Sequence, residues 1–266
     1  MNSLLVARRP VFQPRRTAPA TFAFLTLLVA LFACDSRSPT EPSVPVIEGQ
    51  LSERLETEHF LFHYSPGDTV DGERQEAHFR YVVGRLGVSP PQKVDYFKYR
   101  SRSQLQQLTG RATNGFAEGF TVHTIFSFDP HEAVHVYSAL VGRPSDFFNE
   151  GLAVAWAVDP LAGSLDGSYS GVSVHDWARS AGSELEPISE IVTTSEFRGI
   201  SEAVGYQEAG SFLQFLVDTY GTDGILVLFG GGQRGDSQSR IEATFQQAYG
   251  FSLEQADRNW RSFLGI

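Results

Sequence analysis

Asp129-Pro130, followed at once by His131-Glu132-Ala133-Val134-His135, constrains this chain more than any other stretch. Asp is a favoured helix cap, and Pro fits a helix in its first turn, so the pair opens a helix. In a helix, residues four apart differ by about 40° around the axis and by one turn in height. His131 and His135 therefore project from one face and can both bind one metal ion. Glu132, rotated by about 100° from His131, falls beside such an ion and not on it. Val134, Val136 and Leu140 give the helix an apolar side to bury, and Gly142-Arg143-Pro144-Ser145 ends it, so it spans about 130–141.

The pattern fixes three of five positions, and taken alone it also fits a surface helix that happens to carry two histidines. A third ligand makes the difference. Asn149-Glu150-Gly151-Leu152-Ala153 begins a second helix, Phe147 to about Val158, after a short turn. That helix can run antiparallel to the first, with small Gly151 and Ala153 allowing close packing. Glu150 stands among Phe147, Phe148, Leu152, Val154 and Trp156, where a carboxylate is costly unless it meets a cation. We therefore expect Glu150 as the third ligand; the plainer alternative is an acid at an exposed helix start, favoured by the helix dipole. Asp146 is the rival ligand, although it or Ser145 also fits the cap of that helix. Two histidines and a carboxylate suit Zn²⁺ and leave its fourth position to water. Glu132 is then placed as general base, taking the water's proton as it attacks a carbonyl and handing it to the leaving nitrogen.

With these residues in view, the chain resembles the gluzincin metallopeptidases of the thermolysin-like, peptidase-MA kind. The likeness rests on His131-Glu132-Ala133-Val134-His135 and on Phe148-Asn149-Glu150-Gly151-Leu152-Ala153. It extends more weakly to Tyr206-Gln207-Glu208-Ala209-Gly210-Ser211-Phe212-Leu213, to Ala248-Tyr249-Gly250-Phe251-Ser252-Leu253 and to Trp260. The resemblance implies His131, His135 and Glu150 as zinc ligands and Glu132 as base. It also implies that the strand ending near Phe128 is an edge strand that holds an extended substrate. Such sites often include a Tyr or His that donates to the developing oxyanion. Tyr206 is the first candidate for that role, with His175 and His123 behind it. Ser138 and Val141 stand where metzincin-type enzymes place Gly and His. Thermolysin carries an aspartate one turn after its glutamate ligand, and here Val154 stands there, so the acceptor that orients a zinc histidine must come from elsewhere.

Export is the second theme. The first 33 residues hold Arg8, Arg9, Arg15 and Arg16 and no acid, and Ala18 to Ala33 is an apolar run ending at Cys34, the only cysteine. A basic start, a short apolar run and a small residue before the cleavage point describe a signal peptide. Leu31-Phe32-Ala33-Cys34 resembles the lipobox of bacterial lipoproteins, in which the cysteine is acylated. Residues 1–33 are thus expected as a lipoprotein signal peptide. Residues 34–50, rich in Pro, Ser and Thr, are expected as a disordered tether, and residues 51–266 as the folded domain. The implied location is the cell envelope, with the protein held to a membrane by lipid on Cys34. A lone cysteine excludes an intrachain disulfide.

The chain carries a formal charge of −10, and removal of the four arginines of residues 1–33 leaves −14 on the rest. An acidic body excludes nucleic acid held through its phosphates and a polybasic membrane patch.

Hydrophobic patterning predicts strands at Glu58–Tyr64, Lys93–Tyr99 and within Thr113–Phe128, and helices at Asp71–Leu86 and Ser101–Leu108. Residues 159–174 read as a surface loop. Short helices follow at Val174–Ala181 and Pro187–Val192, then Ala203–Tyr220, Gly224–Leu228 (broken at Gly230-Gly231-Gly232), Ser237–Tyr249 and Leu253–Leu264. His59 and His63, four apart in a strand, face one side, but without a nearby third ligand they read as exposed strand histidines. The expectation is an α+β fold: a mixed sheet with helices over about 51–141, and a helical part over about 142–266. The expected function is zinc-dependent endopeptidase action on a peptide or protein. The alternative is an envelope lipoprotein of the same fold that binds a peptide or partner without turnover.

Overall fold

Phe60 and Phe62, two residues apart in Phe60–Tyr64, are fully buried, which fixes one face of a sheet. The computed structural model of the protein describes residue 47 and residues 49–266; the expected signal peptide, Cys34 and most of the expected tether lie outside the described residues. The sheet holds β1 (Glu53–Glu56), β2 (Phe60–Tyr64), β3 (Val94–Lys98), β4 (Gly115–Glu118) and β5 (Thr121–Thr124), in the order β1-β2-β3-β5-β4. The three inner strands are parallel and both outer strands antiparallel to their neighbours. The register pairs Phe62 with Tyr96 and Tyr96 with Val122, placing all three on one face.

Helices cover both faces. Helix α1 (Gly72–Leu86), capped by Asp71 and stopped at Gly87, lays Phe79 and Val82 on the Phe60, Phe62 and Tyr96 face. Helix α2 (Arg102–Thr109) packs Leu105 and Leu108 with Phe97 and Tyr99 on the other. Ile47 and Leu51 are buried in that second cluster, so the end of the segment expected as a tether is packed on the domain.

The motif helix α3 (Pro130–Ser138) and its successor α4 (Asp146–Ala155) begin the helical part. There follow α5 (Val174–Ala181), α6 (Ile188–Ile191), α7 (Thr194–Phe197), α8 (Glu202–Tyr220), α9 (Asp223–Gly231), α10 (Gln238–Tyr249) and α11 (Leu253–Leu264). Helix α4 crosses α8 so closely that a Cβ on Gly151 would sit 2.8 Å from the Ala209 carbonyl oxygen. Phe147 meets Phe212, Phe148 meets Phe245, and Phe212 meets Trp260. Truncating one such buried ring to Ala typically costs about 3–5 kcal/mol. His78 ties the two parts together, its Nε2 lying 2.8 Å from the Trp156 carbonyl oxygen just past α4. Burial lowers its pKa to about 4, so it stays neutral. The fold is α+β, with the sheet in the N-terminal part and helices beyond it.

Four expectations are corrected. The edge strand is β4, not the strand before Phe128. That strand, β5, is flanked on one side by β3 and on the other by β4, its hairpin partner across a turn that begins with Gly119 at φ +58°. Glu53–Glu56 is a strand although all four residues are exposed, which is why no apolar alternation announces it. Ser168–Tyr169 and Val172–Ser173 pair inside the segment expected as a loop. Helix α9 runs on through Gly230 and Gly231: glycine weakens a helix without necessarily ending it, and at Gly231 a Cβ would lie 3.1 Å from the Thr244 side chain of α10.

Candidate metal centre

Helix α3 begins where the sequence placed it. Asp129 accepts from the Glu132 amide at 3.2 Å, and Pro130 occupies the first turn. Such a cap is worth about 1 kcal/mol. Ala133, Val134, Val136 and Tyr137 are buried, which turns His131 and His135 toward a cleft of about 830 Å³.

Glu150 enters that cleft from α4. Three atoms converge: His135 Nε2 lies 3.3 Å from His131 Nε2 and 3.1 Å from Glu150 Oε2, and His131 Nε2 lies 3.4 Å from Glu150 Oε2. Donors bound at about 2.0–2.2 Å around a tetrahedral ion stand about 3.3–3.6 Å apart. The triangle is thus the size that one zinc-sized ion needs, with all three donors of the right chemistry. These three residues form a group able to hold a metal ion.

The charges fit the same use. Burial alone would raise the Glu150 pKa, but the two histidines hold its carboxyl well below the usual range. Burial disfavours a charged His131, yet its bond to Glu150 and the charges of Glu132 and Glu150 outweigh that and raise its pKa to about 9. Without metal, a proton on the His131 imidazole fills part of the role of the cation.

The other Glu150 oxygen is already engaged. Arg198, which follows α7, donates to Glu150 Oε1 at 2.8 Å and to Asp146 Oδ2 at 2.6 Å. Oε2 alone is left facing the histidines. Asp146, the rival ligand, is turned away: Arg234 also grips it, through Nε at 2.7 Å and Nη2 at 2.9 Å. Burial would raise the Asp146 pKa, and these two arginines lower it instead. Nor is Asp146 the cap of α4. Ser145 stands there without a side-chain bond, and the Thr194 hydroxyl accepts from the Asp146 amide at 3.0 Å.

Asn149, one residue before Glu150, stands where the acceptor that orients a zinc histidine is needed. Its side-chain amide lies 3.2 Å from His135 Nδ1. In the metal-free tautomer, His135 Nε2–H donates to Glu150 and the Asn149 amide nitrogen donates to Nδ1. A metal on Nε2 leaves the proton on Nδ1, and a half-turn of the amide then presents Oδ1 to it. Val154, where thermolysin has its aspartate, packs against Gly210, with no space there for a Cβ on the glycine.

Glu132 points into the cleft beside the trio, against the edge strand. A Cβ on Gly115 would lie 3.0 Å from Glu132 Cγ and 3.1 Å from its Oε1. Burial raises the carboxyl's pKa, against the pull of His131 and His135. A carboxyl held readier to take a proton suits a general base.

Tyr206 lines the cleft as well, its ring 5.9 Å from that of His131. Its hydroxyl accepts from Arg198 Nη1 at 3.4 Å, which leaves its own O–H free to donate. The lower candidates fall elsewhere. His123 is stacked between Phe97 and Phe116 and bonded to Tyr99, and burial lowers its pKa to about 4. His175 bonds to Ser211 beside Phe263. His59 and His63 are not both exposed strand histidines: His63 is buried, pairs with Asp95 and stacks on Phe97. His59 pairs with Glu76 and stacks on Phe79, with Glu58 also close enough to form a possible metal group, so the two histidines do not form a metal pair.

Sequence reasoning missed the use of Arg198, Arg234 and Gly115. Asn149 was adjacent to a ligand and still unassigned. Compared with protein-family models and with characterised proteins, the sequence gives no match to either.

Proposed function

We propose that the protein is a zinc-dependent endopeptidase of the gluzincin type, exported and held to a membrane of the cell envelope by lipid on Cys34. The convergence of His131 Nε2, His135 Nε2 and Glu150 Oε2 within 3.1–3.4 Å of one another carries the reading. Zinc held there would polarise a carbonyl and lower the pKa of a water molecule. Glu132 takes the proton from that water as its oxygen adds to the peptide carbonyl carbon. When the C–N bond breaks, Glu132 delivers the proton to the leaving nitrogen. Tyr206 donates its O–H toward the oxygen that gains charge. The edge strand β4, with Gly115, Phe116 and Ala117 on the cleft wall, pairs with the backbone of an extended peptide. Asn149 fixes the His135 ring, and Arg198 keeps Glu150 to one oxygen.

The test is a peptide-library digest with the zinc-loaded chain, the chelated chain and the chain reloaded with zinc. Internal cleavage that chelator removes and zinc restores is the expected result. A zinc-loaded chain that cleaves nothing in the library sinks the assignment.

A further inference from the structure

Arg143, Arg198 and Arg234 all line the cleft. They come from three places in the chain and are brought together by the fold. Arg143 lies in the turn between α3 and α4, so its position relative to the ligands is set by the two helices that carry them. A parallel bridge between Arg143 and Gln233 sets the backbone leading into Arg234 beside that turn. The Thr194 hydroxyl donates to the Arg234 carbonyl at 2.6 Å, fixing that segment.

Charge within this group does not balance. Arg198 and Arg234 share Asp146; Asp129 and Glu202 also line the cleft but, among the described residues, neither makes an ion pair with these arginines. Arg198 also holds Glu150, whose charge answers the metal. Arg143 is exposed, and among the described residues its side chain makes no hydrogen bond or ion pair. An arginine remains charged at any physiological pH and is built for planar, two-point recognition of a carboxylate. The excess of cation sits on one wall of a protein that carries −14 beyond residue 33. A long polyanion would be repelled by that body, but a single carboxylate on a short chain would not.

We propose that this arginine wall is a carboxylate-recognition subsite, with Arg143 as its free cation, and that the cleft selects peptides whose carboxylate docks there. The inference rests on the cleft being a peptide site, as proposed above. A peptide offers that chemistry from two sources, its C-terminus or an acidic side chain.

Three fluorescent octapeptides separate them: one with uncharged side chains and a free C-terminus, the same peptide amidated, and the amidated peptide with one internal Gln replaced by Glu. Fluorescence anisotropy on the full chain, zinc-loaded and as Glu132→Gln, reads affinity without turnover. At least one carboxylate-bearing peptide should bind about tenfold more tightly than the neutral amide, with an advantage that shrinks as salt is raised. Arg143→Gln should bring that ratio close to one. Because Arg143 is exposed, the variant should keep its circular dichroism and zinc content. The peptide that carries the advantage names the source. Equal affinity for all three peptides, no measurable binding, or discrimination that survives both Arg143→Gln and Arg234→Gln would overturn the subsite. Discrimination without cleavage by the wild-type chain rejects the peptidase and keeps the subsite; cleavage without discrimination does the reverse.

Discussion

The side-chain amide of Asn149 lies 3.2 Å from His135 Nδ1, on the far side of the imidazole from Glu150. Glu150, the proposed ligand, and Asn149, which meets the His135 ring, are thus consecutive residues on one turn of one helix. Partners that orient a metal histidine are typically worth about 10–100-fold in metal affinity. Asn149→Leu should weaken zinc binding by that order, and Asn149→Asp should largely retain it. Competition against a chromogenic chelator measures both. Equal affinities in wild type and Asn149→Leu would remove Asn149 from the site.

Gly115 leaves no space for a side chain beside Glu132. Gly115→Val places a branched side chain against the carboxylate, which must swing away. Because loss of a positioned general base costs about 10²–10⁴-fold, kcat should fall by at least about tenfold. Metal content should not change, since the three ligands are untouched. Elemental analysis alongside peptide turnover checks both halves, and unchanged kcat would contradict the placement of Glu132.

Zinc binding should be coupled to a proton. In the metal-free site His131 keeps its proton up to about pH 9, and zinc must displace it. Below that pH each unit of acidification cuts the deprotonated fraction of His131 about tenfold and should weaken apparent affinity by the same factor. Zinc titrations at several pH values below 9 give the slope. Affinity independent of pH would contradict the close pairing of His131 with Glu150.

Glu208, on α8, is fully buried and makes no hydrogen bond of regular geometry, with only weak help from the Glu186 backbone. Burial raises its pKa to about 8, against about 4.3 in an unfolded chain. Between those values the unfolded chain releases the proton and the folded chain keeps it. This group's contribution to stability is therefore complete at low pH and declines as pH rises toward 8. Glu208→Gln should remove that decline and raise stability near pH 7 by on the order of 3 kcal/mol relative to wild type. Urea denaturation of both proteins at acid and neutral pH measures the difference. A variant less stable than wild type at both pH values would show that Glu208 is paired.

What the sequence disclosed follows the range of each interaction. The α3 start needs only Asp129, Pro130 and the residues just after them, and it was legible. The convergence of Glu150 with the two histidines was legible because an acid within an apolar helix start calls for a positive partner, whatever the rest of the fold. Arg198 lies 48 residues from Glu150, in a stretch whose local pattern marks only a short helix, so its bond to Oε1 depended on tertiary packing. Asn149 was visible, but its use requires knowing how α4 faces α3. The edge strand was misplaced because β4 and β5 are both short and differ only in which one the β3 register captures. Helix α7 was overlooked despite a readable signal: Thr193 and Glu196 form a reciprocal cap. That cap starts the helix after which Arg198 emerges.

Glu132→Gln tests the central claim most directly, because it changes one atom of the base and none of the metal ligands. The variant should bind zinc in the same stoichiometry as wild type and lose peptide cleavage by at least about 10²-fold, with products falling below detection in the same peptide library. A Glu132→Gln chain that holds zinc and cleaves peptides at the wild-type rate would contradict the account.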